Sequence, residues 1–246
     1  MQFTKMEGLG NDFIVLDGSV EVTADLVRRL ADRRRGVGAD GVLQVTVEDG
    51  LVRMRYWNAD GSVAEMCGNG LRCVARYAAD RGLVHGSTFT VMTPVGERRV
   101  TVADEPRVEL GLPEVGASFE FEGWVLHRVG VGNPHAVAFV QDLSTAPVAE
   151  LGSELERLTP GGINVEFVRV VDRHKIEMRV WERGIGETMA CGSGMVAAAA
   201  ASHQLDFTDS EVIVRVPGGE GMVELDGSTS WLVGPVSYTF SGETPG

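Results

Sequence analysis

Cys67 and Cys191 each head a Cys-Gly-x-Gly run, Cys67-Gly68-Asn69-Gly70 and Cys191-Gly192-Ser193-Gly194, and each follows a tryptophan, Trp57 or Trp181, by ten residues. The runs lie 124 residues apart in a 246-residue chain, and Met54/Met178, Arg55/Arg179, Trp57/Trp181 and Gly70/Gly194 share that offset. The chain is therefore a sequence written twice, with one cysteine at the same point of each half.

A lone cysteine before a helix is ordinarily a small buried hydrophobe. The pairing alters that reading. Each sulfur falls where a helix starts, and the flanking glycines leave the first backbone N–H groups uncovered. Such a helix end carries partial positive charge and open donors. It favours a thiolate and binds a carboxylate. Two such ends facing each other across a domain cleft would hold one small anion between two thiols. Inversion of a carbon centre needs that layout, with a base on one face to remove a proton and an acid on the other to return one. The intermediate is a carbanion or enolate at Cα, which N–H donors on the neighbouring carboxylate stabilise. This chemistry requires no cofactor.

Cys73 falls on a different face of the same helix as Cys67 and reads as core. Cys67-x5-Cys73 is not a zinc spacing, and the five histidines show no paired arrangement, so no metal ligand set is expected. Cys67 with His135, or Cys191 with His203, could be set as a hydrolase pair, but no nucleophile elbow or third group supports it. Glu182-Arg183 places an acid beside a guanidinium. In a regular strand the two would face opposite ways, whereas Gly184 and Gly186 predict a turn that could aim both inward. Arg183 would then fork a carboxylate and Glu182 would hold an ammonium, a grip for an amino-acid zwitterion. A surface ion pair at a strand end is the competing reading. Loop asparagine is ordinarily turn chemistry, yet Asn11, Asn58, Asn133 and Asn164 all sit in the repeated loops and point to polar substrate contacts.

The elements that must position these groups follow in the same order in each half. Strands over Phe3–Lys5 and Phe13–Asp17 flank Gly10-Asn11-Asp12. Thr23 caps a helix over Ala24–Arg33 that Gly36 ends. Strands over Val42–Val47 and Leu51–Trp57 meet at an Asp49-Gly50 hairpin turn, and the first cysteine helix runs to about Arg81, closed by Gly82. Strands over Ser87–Thr93 and Glu97–Ala103 follow. The stretch from Glu105-Pro106 to Gly116-Ala117 has no helical period and is the best boundary. The second half replays the order: strands Val125–Val131 and Ala136–Val140 around Gly132-Asn133-Pro134-His135, a helix over Val148–Leu158, and strands Val165–Val171 and Lys175–Trp181. The second cysteine helix then runs to about His203. Strands Val212–Val216, Met222–Leu225 and one or two within Trp231–Phe240 close the chain, with Ser241–Gly246 as a loose tail. Neither half carries a dinucleotide fingerprint. The strands come mostly as hairpins, so an α/β (α+β) fold is expected: two pseudo-symmetric domains, 1–110 and 111–233, each a curved, mainly antiparallel sheet around one helix. A strand near 234–242 would return to the first.

A net charge of −13 and a sequence pI near 4.8 argue against a phosphate-backbone partner. Nothing at the N-terminus resembles a secretory signal, no apolar run reaches membrane-spanning length, and three cysteines are too few for a disulfide framework. A reducing cytoplasm is the expected compartment.

At Lys5-Met6-Glu7-Gly8-Leu9-Gly10-Asn11-Asp12-Phe13, Asn58-Ala59-Asp60-Gly61, Met66-Cys67-Gly68-Asn69-Gly70, Gly132-Asn133-Pro134-His135, Glu182-Arg183-Gly184-x-Gly186-Glu187-Thr188 and Ala190-Cys191-Gly192-Ser193-Gly194 the chain resembles the diaminopimelate epimerase family. The resemblance spans nearly the whole chain. It implies a cofactor-independent amino-acid epimerase of lysine and cell-wall precursor biosynthesis that turns LL-2,6-diaminoheptanedioate into the meso form. It implies Cys67 and Cys191 as the thiol pair, assisted by His135 and Glu182. The reacting carboxylate would meet Asn11, Gly68, Asn69, Gly192 and Ser193, and the distal amino-acid end Asn58, Asn133, Asn164, Glu182 and Arg183. A homodimer is implied as well. Many relatives carry His where this chain has Glu7. Some follow Gly-x-Asp with Gln where this chain has Gly41, so a substrate contact there would come from the Gly41 backbone. Proline and hydroxyproline racemases share the two-cysteine logic but have little use for Glu182-Arg183. Phenazine-type isomerases share the architecture but do not need both cysteines. A non-catalytic amino-acid-binding protein with inert thiols is the reading from outside enzymology.

Overall fold

The computed structural model describes residues 1–64 and 66–244. Glu65, inside the first cysteine stretch, and residues 245 and 246, within the expected tail, lie outside the described residues. The chain divides into two compact units, Met1–Val108 with Gly234–Gly246, and Glu109–Val233.

In the first unit, β1 (Gln2–Gly8) and β2 (Asn11–Asp17) form a hairpin with Met6 opposite Phe13. Its two turn residues, Leu9 and Gly10, both have positive φ, the geometry of a primed hairpin turn. Helix α1 (Ala24–Ala31) starts at Thr23, whose Oγ1 accepts the Leu26 N–H at 3.2 Å. It stops short of Arg33 and Gly36 because the Asp32 carboxylate takes the N–H groups of Arg34 and Arg35, so the chain turns two residues earlier than Gly36 alone suggests. Then come β3 (Gly41–Glu48), β4 (Leu51–Asn58), the short β5 (Val63–Ala64), helix α2 (Gly68–Asp80), β6 (Thr88–Thr93), β7 (Gly96–Val102) and β8 (Pro106–Gly111).

The second unit repeats the scheme with β9 (Glu114–Phe121), β10 (Trp124–Gly130), β11 (Pro134–Phe139), α3 (Val148–Leu158), β12 (Asn164–Asp172), β13 (Lys175–Glu182), β14 (Gly186–Thr188), α4 (Gly192–Gln204), β15 (Glu211–Val216), β16 (Gly219–Leu225) and β17 (Ser230–Val233). The last strand, β18 (Ser237–Glu243), lies antiparallel to β1, with Gln2 opposite Glu243. Residues 241–243 are thus strand rather than loose tail, since β1 offers them a free ladder edge. The stretch expected as an irregular boundary is likewise largely strand, β8 and the start of β9.

Most pairings are antiparallel, but hairpins do not account for all of them. In the first unit β2 pairs with β3 and β4 with β6 in parallel, and in the second β11 pairs with β12 and β13 with β15 in parallel. Each of these pairs is bridged by a helix, since parallel neighbours need a long crossover. α2 and α4 are the crossovers that matter. Nearly every residue of either helix is buried, Leu71, Val74 and Ala78 in one and Met195 to Ser202 in the other. α4 is apolar nearly all round, as a core helix is, while α2 keeps Arg76 and Asp80 toward solvent at its C-terminal half. The sheet closes over each: α2 packs on β1 to β4 and β7, and α4 on β9 to β13 and β15 to β17. Burying a Leu or Val fully contributes about 1.5–3 kcal/mol, so the start of each helix is held by its most strongly packed element.

Candidate active site

Cys67 and Cys191 are the N-caps of α2 and α4. Both have extended backbone (φ −147°, ψ 113° and φ −117°, ψ 114°). Each sulfur does what a serine or aspartate does at an N-cap. Cys67 Sγ accepts the Gly70 N–H at 3.3 Å, and Cys191 Sγ accepts the Gly194 N–H at 3.4 Å. The first backbone N–H groups of the two helices, from Gly68 and Asn69 and from Gly192 and Ser193, lack intrahelical partners by the geometry of a helix start. The sequence-expected chemistry thus has its donors and its sulfur on one helix end in each unit. Cys73 is fully buried in the core, where burial pushes its thiol far up.

Around Cys67 the structure gathers Asn11 and Asn69. Asn11 Oδ1 lies 3.7 Å from the sulfur and 3.4 Å from Asn69 Nδ2. Asn69 Oδ1 takes a 2.9 Å bond from Arg72, a guanidinium with no solvent exposure. Asn11 is held from its other end, Nδ2 to Asp40 Oδ2 at 2.7 Å, and Asp40 is tied to Arg33 at 2.8 Å. Asp12 completes this cluster with Lys5 at 2.7 Å and both Arg33 Nη groups. Burial by itself would raise the Asp12 pKa, but the hydrogen bonds and charges of Arg33 and Lys5 outweigh it and bring it down to about 2. Glu7 accepts the Gly10 N–H at 2.9 Å and so fastens the β1–β2 turn. Asn58 and Gly41 are opposite each other across β4 and β3. Asn58 Nδ2 bonds Ser62 Oγ at 3.0 Å. A Cβ on Gly41 would stand 2.4 Å from Trp57 O and 2.5 Å from Tyr56 Cε2, so no side chain fits there.

Around Cys191 the neighbours are different. Ser193 Oγ is 3.5 Å from the sulfur and 3.4 Å from Asn133 Nδ2. Asn133 Oδ1 meets His135 Nε2 at 3.0 Å, and His135 Nδ1 meets Glu166 Oε1 at 2.6 Å. The His135 and Glu166 side chains are both fully buried. Burial raises the Glu166 pKa and His135 offsets part of that. Glu182 also reaches the Cys191 thiol and accepts the Thr188 hydroxyl, and burial raises its pKa in turn. Burial first, then the negative charges of Glu182 and Glu166, push the Cys191 thiol well above the usual thiol range.

Glu182 and Arg183 part company, as strand alternation dictates. Glu182 turns to the thiol. Arg183 lies exposed across Gly162, with Nη1 to Gly161 O at 3.0 Å and its backbone N–H to Asn164 Oδ1 at 2.9 Å. Asn164 Nδ2 in turn bonds Pro134 O at 3.0 Å. Glu156 of α3 anchors the same loop through Trp181 Nε1 at 2.6 Å and Gly184 N at 2.7 Å.

Arg72 in the Cys67 cluster, and Glu156 and Glu166 in the clusters of the second unit, are not among the residues the sequence pointed to. Glu166 had a signal: it is a lone acid between Val165 and Phe167 in an apolar strand, at the repeat position of Leu43. Arg72 shares its helix face with Asn69, Arg76 and Asp80, and its one signal is that the repeat places Val196 at the same point.

A sequence model of the family described as diaminopimelate epimerase matches residues 3–115 and 128–239. Proteins of that name from Halorhodospira halophila and Moorella thermoacetica are 42% and 39% identical to this chain. They match over 99% and 100% of it and over 94% and 99% of their own lengths. The one from Corynebacterium glutamicum is 40% identical over 98% of this chain and 97% of itself. Among solved structures, a predicted epimerase from Pseudomonas aeruginosa superposes with a TM-score of 0.78 at 17% identity, covering 99% of this chain and 98% of that one. A probable proline racemase from Agrobacterium radiobacter gives 0.75 at 16%, covering 99% and 92%. A phenazine biosynthesis PhzF-family protein from Enterococcus faecalis gives 0.77 at 16%, covering 99% and 98%. These three share the fold.

Proposed function

The chain belongs to the diaminopimelate epimerase family, and from that premise we propose that it inverts one α-carbon of LL-2,6-diaminoheptanedioate to give the meso isomer, with Cys67 and Cys191 as the acid–base pair. The observation that supports this best is the sulfur of each cysteine seated as N-cap of a buried helix, bonded by the N–H of Gly70 or Gly194. One thiolate removes the α-proton and the opposite thiol returns one, so the roles exchange with direction. The helix-start N–H groups of Gly68, Asn69, Gly192 and Ser193, with the Asn11 amide, receive the carboxylate next to the reacting carbon and stabilise its enolate form. The second amino-acid end is held by Asn58, Asn133, Asn164 and Arg183, with the Gly41 backbone beside Asn58. His135 and Glu182 assist through Cys191, which Glu182 touches directly.

The chain works as a cytoplasmic homodimer in this reading, in keeping with a biosynthetic amino-acid enzyme. No helix among the described residues is long and apolar enough to cross a membrane.

The test is proton NMR of the purified chain with LL-diaminopimelate in deuterated water and no added cofactor. Meso product should form with one solvent deuteron at the inverted carbon. Absence of isomerisation, or label at both centres, refutes the proposal. Cys67→Ser and Cys191→Ser should each lose at least about a hundredfold in turnover.

A further inference from the structure

The repeat is closely kept at the sulfur and broken directly behind it. Gly70 and Gly194 occupy equivalent helix positions, and at each the point where a Cβ would stand has different neighbours. At Gly70 that point lies 3.1 Å from Leu43 Cδ2, 3.3 Å from Met54 Cε and 3.5 Å from Cys67 Cβ, an apolar lining. At Gly194 it lies 2.8 Å from Glu166 Oε1, 3.2 Å from Cys191 Cβ and 3.4 Å from Cys191 Sγ. Glu166 stands in β12 where Leu43 stands in β3. The second unit has therefore placed a fully buried carboxyl group behind its thiol, with one oxygen on His135 and the other, Oε2, without a hydrogen-bond partner among the described residues.

The first unit carries the opposite charge. Arg72 is wholly buried on the Cys67 helix, at the position Val196 takes on the other. It holds Asn69 through Nη1, its Nε and Nη2 have no hydrogen-bond partner among the described residues, and its charge bears on Cys67. A buried cation favours an adjacent anion and a buried carboxylate disfavours one.

We propose that Glu166 is a positioning residue of the reaction: from behind Gly194, and braced by His135, it keeps Cys191 as the thiol, so that Cys67 is the sulfur that rests as thiolate. The inference rests on the two-thiol reading above. The ionisable groups that bear on Cys191 from the strands packed against its helix are Glu166 of β12, His135 of β11, paired to Glu166, and Glu182 of β13. Glu182 lies beside the thiol and adds a second negative charge there. Glu166 is fully buried behind Gly194 and is linked toward the thiol by the chain His135, Asn133, Ser193, so it acts on the thiol from the protein side.

The test follows each thiol by 13C NMR of protein labelled at cysteine Cβ, whose shift reports ionisation without requiring access by a reagent. The Cys67→Ser and Cys191→Ser proteins assign the signals. In the unsubstituted chain Cys67 should titrate at lower pH than Cys191. Glu166→Leu, which installs the other unit's residue, and the near-isosteric Glu166→Gln should each lower the Cys191 midpoint by about one pH unit or more, a tenfold gain in thiolate at fixed pH. The Cys67 midpoint should hold in the same samples and serves as the internal check of the fold. If Glu166→Leu does not fold, Glu166→Gln decides. Cys191 titrating below Cys67 in the unsubstituted chain, or an unmoved Cys191 midpoint in the folded Gln protein, overturns the inference. The readout needs no turnover, so a chain that fails to epimerise diaminopimelate would refute the proposed activity and leave this result to stand or fall separately.

Discussion

Replacing Gly194 by alanine should harm the protein in a way that replacing Gly70 does not, although the two positions are repeats of one another. Both residues are helical with ordinary φ, so exchanging glycine for alanine gains about 1 kcal/mol of helix propensity at either. The methyl groups meet different neighbours. At Gly70 the contacts are Leu43 Cδ2 at 3.1 Å and Met54 Cε at 3.3 Å, the ends of side chains that can give by a few tenths of an ångström. The propensity gain should survive, leaving the variant neutral or slightly more stable. At Gly194 the nearest atom is Glu166 Oε1 at 2.8 Å, and that oxygen is pinned by its 2.6 Å bond to His135. Relief requires the pair to part or the Cys191 turn to shift, and overpacking of this kind costs about 1–3 kcal/mol. The helix gain is common to both and cancels, so the two variants should differ by the overpacking cost, roughly 1–3 kcal/mol, or about 2–12 °C in melting temperature for a chain of this size. Paired thermal melts in one buffer measure it. A Gly70→Ala protein that melts at or below Gly194→Ala would refute the reasoning, since it would mean that the two positions are lined alike.

Asp12 supplies a pH prediction. Its folded pKa of about 2 lies below the ordinary aspartate value of 3.8, so its contribution is present above pH 4 and is lost as pH falls through 2. The shift corresponds to about 2 kcal/mol, with the carboxylate only 18% exposed. Asp12→Asn should flatten the acid-unfolding curve between pH 4 and 2, and a curve parallel to that of the unsubstituted chain would contradict the assignment. Arg183→Ala should raise KM roughly ten- to a hundredfold through a lost charge-assisted contact of about 1.5–3 kcal/mol, with little change in melting temperature because the side chain is exposed. Steady-state kinetics giving an unchanged KM would remove Arg183 from the substrate site.

Much of this arrangement could be read before any coordinates, because the repeat multiplies weak signals. A single Cys-Gly-x-Gly says little, whereas two at a fixed offset, each after a tryptophan-ended strand, locate the two helix starts, and the structure has both cysteines as N-caps. The helices over Val148–Leu158 and at Thr23 were legible from caps and apolar spacing. What was not legible came from long-range pairing. β8 and β9 replace an expected irregular stretch because Pro106 opens a strand that β7 pairs, a place where proline is tolerated. The parallel joins were hidden because each pairing partner sits beyond a helix in sequence. The sequence leaves open whether the Glu182-Arg183 turn aims both side chains inward, and in the structure Arg183 is exposed and laid over Gly162. Glu166 and Arg72 escaped because a repeat is noticed where its halves agree, and these residues matter where the halves differ.

That difference has a chemical logic. Two thiols that act on opposite faces of one carbon share a single dissociable proton, and strict copies of one site would bind it equally. Each tenfold preference for one sulfur needs only 1.4 kcal/mol, about the worth of one ordinary hydrogen bond, so very few substitutions behind the cysteines are enough to polarise the pair. The same economy shows in the loops. The Ala59 N–H bonds the Asp40 backbone carbonyl in the first unit, while its repeat, the Arg183 N–H, bonds the Asn164 side chain in the second. Asn164 itself occupies the position at which Gly41 has no room for any side chain. One copy has closed that corner with backbone, and the other has opened it to an asparagine and an arginine, the residues proposed to hold the second amino-acid group. A symmetric pair of helix ends would suffice for a small symmetric substrate. Inverting one centre of a molecule with two requires the copies to tell its ends apart, and the side chains that differ between them are where that distinction has to be made.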